Sequence, residues 1–498
     1  MARVSTLWRN DKLYSECRFH GETDPIIDNI YFNSKECGKK GLFVAIEGFH
    51  VDGHSFIDQA ISGGCTAVIH SKELSFYHPK VLYIQHPNVR KIASHLGYKL
   101  YGPLPQNIIG VTGTDGKSTT AEFLYQILKR INVKCALLTT VSCDTGRKKE
   151  RSPFKQSTPE SNQLYQFLSN CYLNGIDTVI LETTSHALSE SGSRVTELEF
   201  SGAIFTTISS DHLDFHKTKE NYIDAKLNLA RQLKEGAFVV MEETFAYKNE
   251  VLKSLKSGVK VFYYSLNKKQ SGANLKATTL FSSFFEQTLL CNSTKVKLNY
   301  GQNIYAKNFL AAVSGAITMT KLAPLYIFKN ANSLEKIDGR FKIINKENFP
   351  TIVIDFAHTS DAFENIFSHT RKFFPATKMV ALFGAAAERD HSKRPTLGYI
   401  ASLYCDTIIL TNEDPRFENQ KEILDDLKSG IKNAVSVYCI YDRLEAIEFA
   451  LQVATKADVV LLLAKGHEKF IDYGSFRKEW DEENVVLTLL TQMGKDNG

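Results

Sequence analysis

Gly113, Gly116 and Lys117 stand together in the stretch IIGVTGTDGKSTTAEF, Ile108 to Phe123. Glycines let backbone N–H groups approach a polyphosphate, a following helix presents its positive end, and a lysine neutralises the phosphate being transferred. Thr114 and Asp115 complete the loop, and Ser118 or Thr119 would reach Mg²⁺ from the first turn of that helix. The spacing is G-x-x-G-K-S; the longer G-x-x-x-x-G-K-[ST] form would place a glycine at position 111, which is Val111. A glycine-rich turn with a solvent-facing lysine can carry the same letters. The apolar run before it and the amphipathic AEFLYQILKR after it supply the strand and helix that a phosphate loop requires.

Further clusters of chemically capable residues follow short β-branched runs. ETTSH, NEDPR and KGHE follow TVIL, TIILT and DVVLLLA, while DFAH and GAAAERD close TIVIDF and MVALFG; another such run is AIFTTI (203–208). Runs of this kind, separated by amphipathic stretches, predict parallel sheets with crossover helices. Open α/β sheets bind ligands at the carboxyl ends of their strands, so clusters from two sheets would face one cleft.

The elements divide into three domains, all α/β. A first segment, 1–103, ends where Pro103 and Pro105 break the helix-like VRKIASHLGYKLY. A central segment, 104–337, reads as a phosphate-loop ATPase-like parallel sheet, and the pattern restarts in a Rossmann-like segment, 338–498. No apolar run approaches the roughly 20 residues of a membrane-spanning helix. The N-terminus MARVSTLWRNDKLYSECRFH lacks the apolar core of a secretory signal, so a cytoplasmic location is expected. Nine cysteines without a C-x-x-C pair predict reduced, buried packing thiols rather than disulfides or a zinc site. A net charge of +5 is too slight to argue for a nucleic-acid partner.

STPE (157–160), LETTSHAL (181–188), TTISSDHLDFH (206–216) and YIDAKLNLA (222–230) accompany the phosphate loop. DFAHTSDA, ERDHSKRP, EDPR and KGHE follow in the last segment, and GLFVAIEGFHVDGHSFIDQAISGGCTAVI lies in the first. In this order they closely resemble the Mur ligases, ATP-dependent amide-bond-forming enzymes of peptidoglycan synthesis, and within them the branch that adds the third stem-peptide residue. The resemblance runs almost end to end. It implies ATP and Mg²⁺ as cofactors, and UDP-N-acetylmuramoyl-L-alanyl-D-glutamate and a diamino acid as substrates. The first segment would be a UDP-binding module. A monomer is expected.

Residue by residue, the resemblance implies Glu182, His212 and Ser118 as Mg²⁺ ligands, with Lys117 neutralising the γ-phosphate. Alone, His212 would read as a structural histidine, and His186 as either structural or substrate-facing. Lys226 reads from its own surroundings as a helix-surface charge; the resemblance implies instead a carbamate, made from CO₂, that supports a second Mg²⁺. Asn308, Arg340, Asp355 and His358 match nucleotide-side positions, and Ser157, Thr158, Ser185 and Arg194 match positions holding the muramoyl dipeptide or its diphosphate. Ser34 falls where the family reads D-S-R, with Asn33 and Lys35 replacing the acid and the arginine.

The incoming amino acid would meet Arg389, Glu413, Asp414, Arg416, Ala464 and Glu468. Arg389 would pair with its α-carboxylate and Glu468 would accept an ammonium. The family pattern D-N-P-R is associated with meso-diaminopimelate. This chain keeps Arg416, has Glu413 and Asp414 in place of the acid and the asparagine, and has Ala464 in place of a glycine. The charge of Asp414 argues for a side chain that is a simple diamine, lysine or ornithine, and Arg416 argues for diaminopimelate. A dibasic amino acid is the expectation, with diaminopimelate close behind.

Overall fold

The computed structural model describes residues 1–8, 11–48, 51–209, 211–266, 272–432 and 435–496. Phe49, His50 and Ser210, letters of two of the motifs above, lie outside them. Three principal sheets follow one another along the chain: five strands within 18–85, eleven within 107–298 and six within 342–462.

In the central sheet the strand Asn107–Thr112 lies between Thr178–Glu182 and Phe200–Phe205, parallel to both. The chain winds outward in one direction through Cys135–Leu138 and in the other through Leu233–Glu242, so the crevice at the end of Asn107–Thr112 is a switch point. Both faces of these strands are covered. Ile109, Val111 and Ile180 point into one hydrophobic core, while Ile108, Val179 and Leu181 point into another. Burial on both faces explains why the strands read as continuous apolar runs rather than as alternating patterns. AIFTTI is the exception: the strand ends at Phe205, because Thr206 and Thr207 turn their hydroxyls to the phosphate loop, both donating to the Asp115 carbonyl (2.6 and 3.3 Å).

The last sheet follows the same logic. Thr351–Ile354, Val459–Leu462, Met379–Phe383, Thr407–Leu410 and Ser436–Cys439 are parallel neighbours in that order, with Lys342–Ile344 antiparallel at the edge. An aromatic seam joins this sheet's layer to the central one. Phe284 of the central segment packs edge-on to Phe341 (5.2 Å) and Phe374 (4.8 Å) and stacks on His369 (5.4 Å). The first segment is held to the central one by polar contacts. The Asn162 amide donates to the Ile30 carbonyl (2.8 Å), and His95 lies between Asp11 (2.7 Å) and Glu197 (3.3 Å).

All nine cysteines are free thiols; five are buried, Cys17, Cys37 and Cys143 are half-buried and Cys439 is exposed, so packing accounts for only part of the set. Among the described residues no helix is long and apolar enough to cross a membrane.

Candidate active site

A cleft of about 400 Å³ opens between the central and last segments. Its walls come from the carboxyl ends of strands in both sheets: 114–119 after Asn107–Thr112, Thr184 to His186 after Thr178–Glu182, and Asp211 and His212 beyond Phe200–Phe205. Facing them are 355–358, Gly384 to Ala386 with Arg389, Glu413 with Asp414 and Arg416, and Glu468. Lys117 and Arg389, from different sheets, line the same space.

The phosphate loop has the geometry its glycines require. Gly113 sits at φ +153, where a Cβ would lie 1.9 Å from Thr206 Oγ1, and Gly116 sits at φ +84, with Asn308 Oδ1 2.4 Å from where its Cβ would be. Gly116 is the N-cap of the helix Lys117–Arg130 and offers no side-chain cap, so the first-turn N–H groups are left for a ligand. Lys117 Nζ meanwhile donates to the Thr114 carbonyl (2.6 Å). Thr114 Oγ1 shares a hydrogen bond with the Tyr222 hydroxyl (2.8 Å), and Thr359 of the last segment donates to Asp115 (2.9 Å). Burial raises the Asp115 carboxyl above its ordinary range.

Glu182 ends its strand with the carboxylate among donors. Its Oε2 accepts from Ser118 Oγ (2.8 Å), Thr140 N–H (2.9 Å) and Thr140 Oγ1 (3.1 Å). His212 and Asp211 contact one another (3.3 Å), and Lys393 Nζ lies 3.6 Å from Asp211. Burial pushes His212 down to about 3, so its ring is neutral and keeps a free lone pair. His186 lines the cleft edge-on to His212 at 4.7 Å, and burial pushes it down to about 2. A carboxylate, a hydroxyl and a neutral imidazole beside a phosphate loop form a donor set that fits a hard divalent cation shared with phosphate oxygens. Elsewhere among the described residues, His391, Glu418 and Asp426 bring their ligand atoms close together, but Arg394 Nη1 already engages both carboxylates (2.5 and 3.0 Å).

Lys226 is not a surface charge. It lies in the helix Lys219–Arg231 with 1% of its surface exposed, donates to the Gly113 carbonyl (2.6 Å), and sits 4.5 Å above the Tyr222 ring. Burial first, and the nearby Lys117 second, drive its ammonium well below the ordinary lysine range.

Arg340 reaches Ser118 Oγ at 3.5 Å and stacks 4.7 Å above Phe356. Asp355 accepts from Phe341 N–H (2.6 Å) and Ala357 N–H (2.7 Å), while burial raises its carboxyl. His358, pushed down to about 4 by burial, packs on Phe356. On the opposite wall Ser157 accepts from Thr140 Oγ1 (2.5 Å), Ser185 Oγ pairs with His216 Nε2 (3.0 Å), and Arg194 is bound to Glu160 (2.9 Å). Thr158 and Ala464 are buried behind the lining, and Ser34 lies outside it, donating to Gln59 Oε1 (2.7 Å).

The reading of Asp414 as a free negative charge is corrected by Lys465. This lysine is fully buried and donates to Asp414 Oδ1 (2.9 Å) and to Glu468 Oε2 (2.6 Å); Asp472 N–H also donates to Asp414 Oδ1 (3.0 Å). Asp414 is therefore charge-compensated and argues little about the incoming side chain. Burial raises both Glu413 and Glu468 above the ordinary carboxyl range, and Lys465 opposes the rise at Glu468. Arg416, at φ +42, is partly committed to the Ala387 carbonyl (3.0 Å). Ala464 adopts φ +78, the backbone conformation a glycine would take without strain.

Sequence reasoning passed over Thr140, Asp211, Tyr222, Lys393 and Lys465. Lys393 lies inside ERDHSKRP, and Thr140 follows the strand Cys135–Leu138, so the strand-end rule reaches it. Lys465 opens KGHE, directly after the strand-end run DVVLLLA.

Comparison with known proteins decides the family. Residues 26–97 match the Mur ligase family catalytic domain, 111–316 the Mur ligase middle domain and 339–466 the Mur ligase glutamate ligase domain. A UDP-N-acetylmuramyl-tripeptide synthetase from Borreliella afzelii is 34% identical over 496 residues, covering 96% of each chain. The chain belongs to the Mur ligase family. Another relative of this Mur ligase, the UDP-N-acetylmuramoyl-L-alanyl-D-glutamate–2,6-diaminopimelate ligase of Parabacteroides distasonis, is 31% identical, with 93% of this chain and 95% of that protein covered. A solved ligase of the same description superimposes with a TM-score of 0.57 at 25% identity, covering 94% of this chain and 95% of that one.

Proposed function

We propose that this Mur ligase uses ATP to join a diamino acid to the γ-carboxylate of the D-glutamate in UDP-N-acetylmuramoyl-L-alanyl-D-glutamate. The observation that carries the reading is the shared cleft, with the phosphate loop on one wall and Arg389, Glu413 and Glu468 on the other. Activation and amide formation need those two sets of groups around one carboxyl carbon.

A carboxylate is a poor electrophile. Its attack on the γ-phosphorus forms a C–O–P bond as the bond to ADP breaks, and the resulting acyl phosphate has a good leaving group. The chain's task is positioning and charge compensation. Gly113 to Thr119 would cradle the polyphosphate, Lys117 would leave the Thr114 carbonyl for the γ-phosphate, and Arg340 would add a second cation from the facing domain. Asn308, Asp355 and His358 would border the nucleotide. Glu182, Ser118 and His212 would hold Mg²⁺, which supplies charge neutralisation on the phosphates.

The amino acid's neutral amine then attacks the acyl carbon, a tetrahedral centre forms, and phosphate departs as the C–N bond is completed. Arg389 would orient the α-carboxylate, while Glu413, together with Glu468, one oxygen of which is already held by Lys465, would receive a distal ammonium. Arg416, with its guanidinium partly held by Ala387, leaves room for a distal carboxylate as well. Ser157, Thr158, Ser185 and Arg194 would hold the muramoyl dipeptide or its diphosphate, and Ser34 the uridine end.

The surroundings of Lys226 support the carbamate that the family resemblance implies. Only a neutral amine attacks CO₂, and burial favours the neutral form. The resulting anion would relieve the repulsion that the ammonium suffers from Lys117.

The test is ADP release measured with the UDP-dipeptide and, separately, lysine, ornithine and meso-diaminopimelate. Turnover that requires both the dipeptide and one of these amino acids is expected. ADP release indifferent to all three would refute the assignment.

A further inference from the structure

Thr140 lines the cleft and contacts both Glu182 and Ser157. Its N–H and its hydroxyl both point at Glu182 Oε2, at 2.9 and 3.1 Å, and the same oxygen receives Ser118 Oγ at 2.8 Å. The Thr140 hydroxyl also lies 2.5 Å from Ser157 Oγ. A threonine hydroxyl carries one proton, so it donates fully to Glu182 or to Ser157 but not to both. The neighbouring Thr158 is fixed differently: its hydroxyl donates to the Glu182 carbonyl (2.9 Å) and accepts Thr184 N–H (3.0 Å). Ser157 is thus the part of this loop whose hydrogen bonding answers to Thr140. Ser118, Thr140, Ser157 and Glu182 all line the cleft.

We propose that Thr140 is a positioning residue that couples nucleotide occupancy of the phosphate loop to affinity for the nucleotide-sugar substrate at Ser157. The proposal rests on the function argued above. Nucleotide and its cation draw on the Ser118 hydroxyl and the Glu182 carboxylate, which then competes less for the Thr140 proton. That proton passes to Ser157 Oγ as donor in a single hydrogen bond, and the proton of Ser157 itself is turned toward the substrate. Linkage makes the coupling reciprocal: substrate at Ser157 tightens nucleotide binding by the same factor.

The experiment is calorimetric titration of UDP-N-acetylmuramoyl-L-alanyl-D-glutamate into wild type, Thr140→Val and Thr140→Ser, each without and with a saturating non-hydrolysable ATP analogue and Mg²⁺. In wild type and Thr140→Ser the analogue should tighten substrate binding by about fivefold or more. In Thr140→Val, which keeps the shape and loses the hydroxyl, that ratio should fall below about two, while affinity for the analogue alone stays within about threefold of wild type. A ratio in Thr140→Val equal to wild type, or lost equally in Thr140→Ser, overturns the proposal. Should Thr140→Val not fold, Ser157→Ala removes the acceptor and must abolish the ratio; its persistence overturns the proposal too. A wild type that binds the dipeptide with no response to the analogue refutes the coupling alone. A wild type that does not bind the dipeptide removes the proposed function and the coupling together.

Discussion

Gly116→Ala tests the phosphate loop from its backbone outward. The residue sits at φ +84, a left-handed conformation that costs an L-residue roughly 1–2 kcal/mol. The added methyl would also lie 2.4 Å from Asn308 Oδ1, 3.0 Å from its Cγ and 3.1 Å from its Nδ2, so the whole amide must move. Forcing that side chain off its rotamer adds about 1 kcal/mol, for a total near 2–3 kcal/mol. At roughly 2–4 °C per kcal/mol, the melting temperature of the unit carrying the loop should fall by about 4–12 °C. Displacing Asn308 from the cleft should also weaken ATP-analogue binding by about tenfold, the equivalent of ~1.4 kcal/mol. Asn308→Ala removes all three obstructing atoms. Thermal melts of the two single variants and the double variant should therefore show a coupling of about 1 kcal/mol, the double variant being less damaged than the sum. Melting of Gly116→Ala within a degree of wild type, or strict additivity with Asn308→Ala, would refute the steric argument.

Lys226→Ala should lower ADP release by about 10–100-fold, and added formate or acetate should restore part of it by supplying an anion where the carboxylate of the carbamate would stand; failure of rescue in a folded variant removes the carbamate. Acid sensitivity should begin near pH 6.5, the ordinary histidine value. His369, half-buried and stacked on Phe284 and pushed down to about 4, takes up its proton in the unfolded chain first, so stability falls as pH drops from 6.5 toward 4. His369→Phe should flatten melting temperature against pH in that window, and an unchanged slope would contradict this. Ala464→Gly, at φ +78, should raise the melting temperature by about 2–4 °C through relief of roughly 1 kcal/mol of strain, checked by calorimetry. Glu482→Ala should destabilise the last domain by about 3–5 kcal/mol, because it leaves the fully buried Arg443 guanidinium without its carboxylate; urea unfolding reads the loss.

The strands were legible because burial on both faces writes the same apolar signal into every position, as in TVILE at Thr178–Glu182. The chemistry at strand ends was legible for a related reason: a parallel sheet exposes its carboxyl edge wherever the order of strands reverses. Partners distant in sequence were not legible. Lys226 looks like an exposed helical lysine until the Gly113 carbonyl, 113 positions earlier, is seen to receive it. Asp414 looks like a free charge until Lys465, 51 positions later, is found beneath it. AIFTTI overran its strand because threonine suits a strand as well as it suits a loop, and only the contact with Asp115 decides between them. Ser34 is placed by the first segment, and the contacts that would bring it to a ligand are not contained in its local pattern.

The uncapped start of the helix Lys117–Arg130 bears on how this enzyme meets its nucleotide. Its first-turn amides have no side-chain acceptor, and Lys117 Nζ donates to the Thr114 carbonyl of the same loop. An anion at the loop would give these amides their acceptor, so amide deuterium exchange across Thr114 to Thr119 becomes a direct gauge of nucleotide occupancy, independent of turnover.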